Sequence, residues 1–402
     1  MTIVRSDDIE SVLQTVDADQ LLELARGMVR IPSQIPNEGA LAEFLAADMR
    51  RSGVFDEVLL QTVVAGRPNV IGVVHGDGDG PNVVLNGHLD SLLPIGEWTR
   101  DPYSPDVEDG WLYGLSLTDM KAGVACLIEA AKAVARAPIK RRGSLTVTGV
   151  MHHGITGVGT KFFLDSWDRP IHAAINAEPT DLGVQVAHGG CWQFELTTSG
   201  RPVHNSRREE GLDAIRKMLT VLSGLDESVL TFDSTQRIPG LPRMVVGVIE
   251  GGPAPSRTAA RCIARGDVRI SPGMTQQTLM RDMERYLDGL RAEDPDLLVT
   301  VTQIVHQRPY RIAKDAPIVQ TLAAAAHRVT GRSPLVTDGL PASAYVTDSP
   351  DFMRLGIPTV IYGPGDWKVG PDERIRIEDM VTATKVYALT AARIVSGQGG
   401  VL

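Results

Sequence analysis

The chain has 402 residues, of which 43% are hydrophobic and 22% charged, enough for a sizeable core and for more than one domain. Its formal net charge is −9, so it has no basic excess to neutralise phosphates, which argues against nucleic acid as a partner. Cys126, Cys191 and Cys262 are far apart and odd in number, which excludes a disulfide framework and fits a reducing cytoplasm. Neither a secretory leader nor a membrane span is expected, because no long apolar run occurs.

In chain order, apolar residues recur at helical spacing over 8–32, and a second helix is predicted over 40–51. Short β-branched runs then predict strands at 58–65, 69–76 and 82–90, with a hairpin-type turn at 77–80. A helix rich in small residues is predicted over 121–137. Residues 144–153 and 173–180 read as strands buried on both faces. This alternation points to an open, mostly parallel α/β sheet. Beyond about residue 187 the pattern becomes strand 192–200, helix 212–225, strands 244–252 and 260–271, helix 274–290 and strand 297–307. That β-α-β-β-α-β order fits a ferredoxin-like α+β unit. The α/β pattern returns with helix 316–330, a strand near 359–362 and helix 377–397. The expectation is a catalytic domain of residues 1–187 and 308–402, interrupted by an inserted domain of 188–307.

Three segments carry candidate chemistry. In NGHLD, His88 ends a predicted strand and Asp90 follows two residues later. Residues two apart on a strand share a face, so the Asp90 carboxylate could fix the tautomer of a metal-binding imidazole. Asp119 precedes a helix, where an N-cap would be the ordinary reading. Glu178 lies at the end of a buried strand, where ligands collect in open α/β sheets.

The order and spacing of these segments resemble successive motifs of the carboxypeptidase G, acetylornithine deacetylase and succinyl-diaminopimelate desuccinylase family. The stretches GVGT (157–160), GRPVHNS (200–206), GDVRISPG (266–273), GIPT (356–359) and YGPG (362–365) extend the resemblance over most of the chain. It implies an inserted dimerisation domain, a homodimer, and two metal ions sharing a bridging Asp. His88 and Glu178 would hold one metal and Asp119 would bridge. Counting back from Gly159 and Thr160, the family's DEE triplet falls on His152, His153 and Gly154; the Glu that activates water is His153, and the Glu that binds the second metal is Gly154. Counting back from Glu373, the second metal's His falls on Val369. The family Arg before the bridging Asp is Leu115, and a family Asn is Ser256.

The resemblance therefore implies one divalent ion per chain on His88, Asp119 and Glu178, an oxygen-rich set suited to Mn²⁺, Zn²⁺ or Fe²⁺. His153 would serve as base or hydrogen-bond partner, with ligation by His153 or His152 as the alternative. His204 would polarise the scissile group across the dimer. Arg269 would bind a substrate carboxylate, or pair with Asp267 on its own strand. The expected function is hydrolysis of a C–N bond in a small carboxylated molecule. The altered base position favours deamination of an aromatic amine such as 5-nitroanthranilate, as in the family's outlying 5-nitroanthranilate aminohydrolase. Amide hydrolysis of N-acyl amino acids or dipeptides, with metal ligands drawn from Asp338, Asp348 or Asp366, and a non-catalytic ligand-binding role are the alternatives.

Overall fold

A computed structural model describes residues 9–338 and 345–398. They divide into two compact units, one made of residues up to 186 with 312–338 and 347–398, the other of 187–311 with Tyr345 and Val346. The first unit is built on a sheet whose described strands are β1 (Glu57–Val64), β2 (Arg67–Val74), β3 (Val83–His88), β4 (Leu145–Val150), β5 (Ala173–Asn176), β6 (Val184–Gln185), β7 (Val336–Thr337) and β8 (Thr359–Ile361). Their spatial order is β1-β2-β4-β3-β5-β8-β6-β7. The centre, β4-β3-β5-β8, is parallel; β1 and β2 join it antiparallel.

Both faces of the parallel centre are covered, as continuous apolar runs require. On one face Ile71, Val73, Val84 and Ala174 pack with Phe163, Leu164 and Phe352 from the helices Val158–Ser166 and Ser349–Arg354, and with Ile357 from the loop after the second helix. On the other face, helix α1 (Ala18–Val29) packs on α2 (Gly39–Ser52) and α3 (Ala122–Arg136), α3 rests on β3 and β4, and α4 (Pro317–Thr330) and α5 (Ile377–Val395) pack together. The N-terminus of α3 can approach the strand ends because Gly123 lacks a Cβ, which would fall 2.4 Å from the Ala177 carbonyl oxygen. Among the described residues no helix is long and apolar enough to cross a membrane.

Three expectations change. The helix expected over 8–32 breaks at Asp17, whose carboxylate caps α1 by accepting from the amides of Asp19 and Gln20. Residues 77–80 form no hairpin, because β4 lies between β2 and β3; the amides of Asp77 and Gly78 instead donate to the carbonyls of Arg141 and Arg142. The strands expected over 144–153 and 173–180 stop at Val150 and Asn176. Beyond those points the chain turns out of the sheet and carries the site.

The second unit is an antiparallel sheet with strands in the order Arg243–Gly251, Arg261–Ile270, Gly190–Ser199, Leu298–Gln307. Helices Ala214–Ser223 and Gln276–Glu293 follow the first and third strands in sequence, giving the expected ferredoxin-like order. Its core contains Trp192, Phe194, Leu196, Met218, Val268 and Met283.

Candidate metal centre

Parallel β3, β4 and β5 end on the same side of the sheet, and each delivers a ligand-type side chain just beyond its last residue or at it. β3 gives His88, the turn after β4 gives His153 and the segment after β5 gives Glu178. Among the described residues these three form the one group whose donor atoms all lie within 4.8 Å of one another, and all three are buried. Asp119 adjoins them, its Oδ1 lying 3.1 Å from His88 Nε2. Glu373 holds the Asp119 loop by accepting from the Ser116 amide at 2.9 Å and from the Thr118 amide and hydroxyl at 2.7 and 2.6 Å. Lys121, buried just beyond, donates to the Met28 and Ile31 carbonyls at the end of α1, and burial lowers its pKa to about 8.

The tautomers follow from the partners. His88 Nδ1 lies 2.9 Å from the backbone carbonyl of Asp90, which can only accept, so Nδ1 carries the proton. In a neutral His88, Nε2 therefore presents a lone pair to the Asp119 carboxylate. Two acceptors 3.1 Å apart need a proton or a cation between them. His153 repeats the pattern: Nδ1 donates to Asp348 Oδ1 at 2.9 Å, leaving Nε2 3.8 Å from Glu178 Oε1. The two imidazoles stack with centroids 4.6 Å apart and planes 8° apart.

The same field is visible in the acidities. Burial opposes charging of His88, but the hydrogen bond and charge of Asp119, with the charge of Asp90, raise its pKa to about 9. For His153 burial is likewise outweighed, first by the charge and hydrogen bond of Asp348 and then by Glu178, so its pKa lies well above the ordinary value. Burial pushes Glu178 up to about 7 against the pull of His88 and His153. Burial acts on Asp348 too, yet His153 holds it at about 2. Asp119, Glu178 and Asp348 thus face two imidazoles, and among the described residues no Lys or Arg side chain is hydrogen-bonded to these three carboxylates. A divalent cation answers both this charge excess and the facing lone pairs, so the donor set fits a metal ion.

Asp348 is itself built in. Its Oδ2 accepts from Asn86 Nδ2 at 3.1 Å, Asn86 also donates to Asn176 Oδ1 at 2.9 Å, and Thr148 donates to Asn86 Oδ1 at 2.7 Å. Asn86, Thr148 and Asn176 lie in register across β4, β3 and β5, so a hydrogen-bonded polar row crosses the sheet next to Asp348.

His88, Asp119, Glu178 and His153 are thus brought together, and two assignments need correction. The Asp90 carboxylate does not orient His88: it lies 3.9 Å from Nδ1, while the Asp90 carbonyl makes the contact. Beyond His88 the chain leaves the strand, so the alternation that would align the two side chains no longer holds, and the carboxylate accepts from the His153 amide at 2.8 Å. Asp348, considered only as a misaligned ligand, is the hydrogen-bond partner of His153. Asp366 pairs with Lys368. His152 is half-buried and outside the ligand group. His204 and Arg269 belong to the second unit. His204 is exposed, with Nδ1 3.0 Å from the Ser206 hydroxyl, and Arg269 donates to Asp267 Oδ1 at 2.9 Å, the same-strand pairing anticipated as its alternative. Asp348, Glu373 and Lys121 carried no sequence signal of their roles, which depend on tertiary partners distant in the chain.

The chain matches the family model described as peptidase family M20/M25/M40 over residues 84–393. It is 26% identical to the N-formyl-4-amino-5-aminomethyl-2-methylpyrimidine deformylase of Bacillus subtilis, covering 92% of this chain and 93% of that one. It is 28% identical to the acetylornithine deacetylase of Photorhabdus laumondii over 91% of this chain and 95% of the other. Among solved structures, the aminopeptidase PepT of Bacillus cereus superposes with a TM-score of 0.75 at 18% identity over 94% of this chain and 99% of the other. The YXEP protein of Bacillus subtilis, described as a dinuclear metal-binding peptidase, superposes with a TM-score of 0.71 at 16% identity over 94% and 98%.

Proposed function

The chain belongs to peptidase family M20/M25/M40 and is a metal-dependent hydrolase of C–N bonds, and on that premise we propose that it cleaves the amide of a small N-acylated, carboxylate-bearing molecule at a centre holding one divalent cation per chain. Its ligands are His88, His153, Glu178 and Asp119. The observation that carries this reading is the fixed tautomer of both histidines, each with Nδ1–H held by an acceptor and Nε2 turned toward a carboxylate. Two imidazoles and two carboxylates suit Mn²⁺, Zn²⁺ or Fe²⁺. The bound cation would supply Lewis-acid activation of water and of the scissile carbonyl.

The protein's own groups set the rest. Asp348 keeps the proton of the neutral imidazole on His153 Nδ1, which leaves Nε2 as the donor atom once the ring has lost its second proton. Gly154 and Val369, which stand where the resemblance puts the second cation's ligands, offer no side-chain ligand atom. His204 is assigned, by resemblance, to the scissile group from a second subunit, and Arg269 to the substrate carboxylate. Three free, buried cysteines fit a reducing compartment such as the cytoplasm.

Deamination of an aromatic amine is the second reading, favoured by the imidazole of His153 at the position where the family carries a water-activating Glu. It places His153 as base rather than ligand. The test is metal analysis of the purified protein and its His153→Ala variant, followed by two substrate panels. One cation per chain, weakened by His153→Ala, with amine released from N-formyl, N-acetyl or N-succinyl amino acids, is the expected result. Unchanged metal content with lost ammonia release from 5-nitroanthranilate would establish the deaminase instead. Two cations per chain would refute the single-ion centre.

A further inference from the structure

The turn that presents His153 is unusual in what holds it. β4 ends at Val150, and the next three backbone amides make no ladder bonds. Each donates instead to a side-chain oxygen from a different part of the first unit. The Met151 amide meets Asn69 Oδ1 at 3.0 Å, the His152 amide meets Glu38 Oε1 at 3.2 Å, and the His153 amide meets Asp90 Oδ1 at 2.8 Å. His152 sits in the left-handed region, at φ 52° and ψ 50°, a conformation a side-chain-bearing residue keeps only when its surroundings impose it. That left-handed residue is what swings His153 out of the sheet and over His88.

One of the three holding residues, Asn69, and the ion-pair partner of a second, Arg67, come from one strand. Arg67 and Asn69 are two apart on β2. Arg67 grips Glu38 in a two-armed ion pair, Nε to Oε2 at 2.8 Å and Nη2 to Oε1 at 2.6 Å. The Glu38 side chain is fully buried and that of Arg67 is 13% exposed. Arg67 also feels the charge of Asp90. One guanidinium therefore fixes the carboxylate on the His152 amide and offsets the charge of the carboxylate on the His153 amide. Neither Glu38 nor Arg67 belongs to the ligand group itself.

We infer that the buried Glu38–Arg67 pair is a positioning device for His153, holding the His152–His153 turn so that the imidazole Nε2 reaches the cation. The inference rests on His153 being a ligand, as proposed above. A buried carboxylate accepting from a backbone amide, with its own partner locked by a planar fork, restricts the turn far more than a solvated loop would. Partners that orient a metal ligand are each associated with about 10- to 100-fold in metal affinity.

The test uses the full-length protein stripped of metal and titrated with Co²⁺ alone, by calorimetry and by the visible ligand-field spectrum, with circular dichroism as the control for folding. Glu38→Ala should bind Co²⁺ about 10- to 100-fold more weakly, with an altered spectrum, while remaining folded. The double variant Glu38→Gln with Arg67→Met keeps an amide oxygen for the His152 N–H without leaving a buried charge unpaired; it should recover most of the affinity and the wild-type spectrum. Wild-type affinity and spectrum in folded Glu38→Ala would overturn the inference, as would a double variant no better than Glu38→Ala. If Glu38→Ala does not fold, Glu38→Asp serves, since it keeps a carboxylate for Arg67 but draws the oxygen back from the amide; an unchanged spectrum there is equally fatal. His153→Ala separates the two levels. If it leaves Co²⁺ binding unchanged, His153 is not a ligand and the proposed centre itself is wrong; if it weakens binding and Glu38→Ala does not, only the positioning role falls.

Discussion

The candidate residues of the two units differ in what their neighbours ask of them. In the first unit, His88, His153 and Glu178 are buried, converge on one point, and have acidities displaced by one another. In the second, His204 is exposed beside a serine hydroxyl and Arg269 is matched by Asp267, one carboxylate for one guanidinium. The first arrangement turns imidazole nitrogens and carboxylates toward one point. The second is internally settled. Perturbed, mutually facing groups mark a place built for something absent from the chain, whereas a satisfied surface pair is equally well explained by strand stability.

The largest effects should come from removing a ligand. His88→Ala or Asp119→Ala should abolish tight metal binding and lower kcat/KM by about 10³-fold or more, read by metal analysis and by amine release. A variant of either kind that retains both would break the comparison, because the first unit's convergence would then have no function. The next effect is pH. Glu178 holds a proton below about 7 and His88 one below about 9, and His153, raised well above its ordinary value by Asp348 and Glu178, holds another that a cation must displace. Apparent affinity for Co²⁺ should therefore rise by at least about tenfold per pH unit between 7 and 9, with proton release detectable by calorimetry in buffers of different ionisation heat. The metal-free protein should move the other way. A His88 pKa raised from 6.5 to about 9 contributes stability that is complete below 6.5 and lost as pH climbs through 9. The thermal midpoint of the stripped protein should fall across that window, and that of the metal-loaded protein should not.

Asp348→Asn should be milder. It keeps the shape and an oxygen that can accept from His153 Nδ1, but removes the charge that makes the imidazole a strong donor. Metal affinity and turnover should drop about 10- to 100-fold. The polar row of Asn86, Thr148 and Asn176 stands behind this residue, so Asp348→Ala should in addition lower thermal stability by about 1–3 kcal/mol, the cost of leaving buried donors unmatched.

The strand-end ligands were legible in the sequence because parallel strands place their C-terminal ends together, and period and order suffice to find those ends. His88, Asp119 and Glu178 follow from that rule plus the spacing of the family's motifs. The antiparallel unit was legible for the same reason: 192–200 alternates residue by residue, and the alternation survives as a buried core beneath Trp192, Phe194 and Leu196. What the sequence hid are contacts closed by tertiary structure. Asp348 is 195 residues from His153, and Glu373 is 255 from Thr118. The Asp90 error has a local cause: a two-residue rule was carried past the last strand residue. For His153 the sequence left base, hydrogen-bond partner and ligand open; the choice depends on Asp348, distant in the chain, which holds Nδ1 and leaves Nε2 3.8 Å from Glu178 Oε1.

The smallest effect, and the sharpest probe of the second unit, is expected at Arg269. Asp267 already neutralises it, and its side chain is 39% exposed, so the pair contributes little to folding. Arg269→Ala should shift the thermal midpoint by no more than about 1–2 °C and leave Co²⁺ affinity unchanged. If Arg269 leaves Asp267 for a substrate carboxylate, KM for carboxylated substrates should rise about tenfold with kcat preserved, while the corresponding amides or esters of those substrates lose nothing. Arg269→Lys, which keeps the charge but not the fork, should then fall between the two. Equal KM values in the wild type and Arg269→Ala would leave Arg269 as half of a strand-stabilising pair, and substrate recognition by this chain would lie elsewhere.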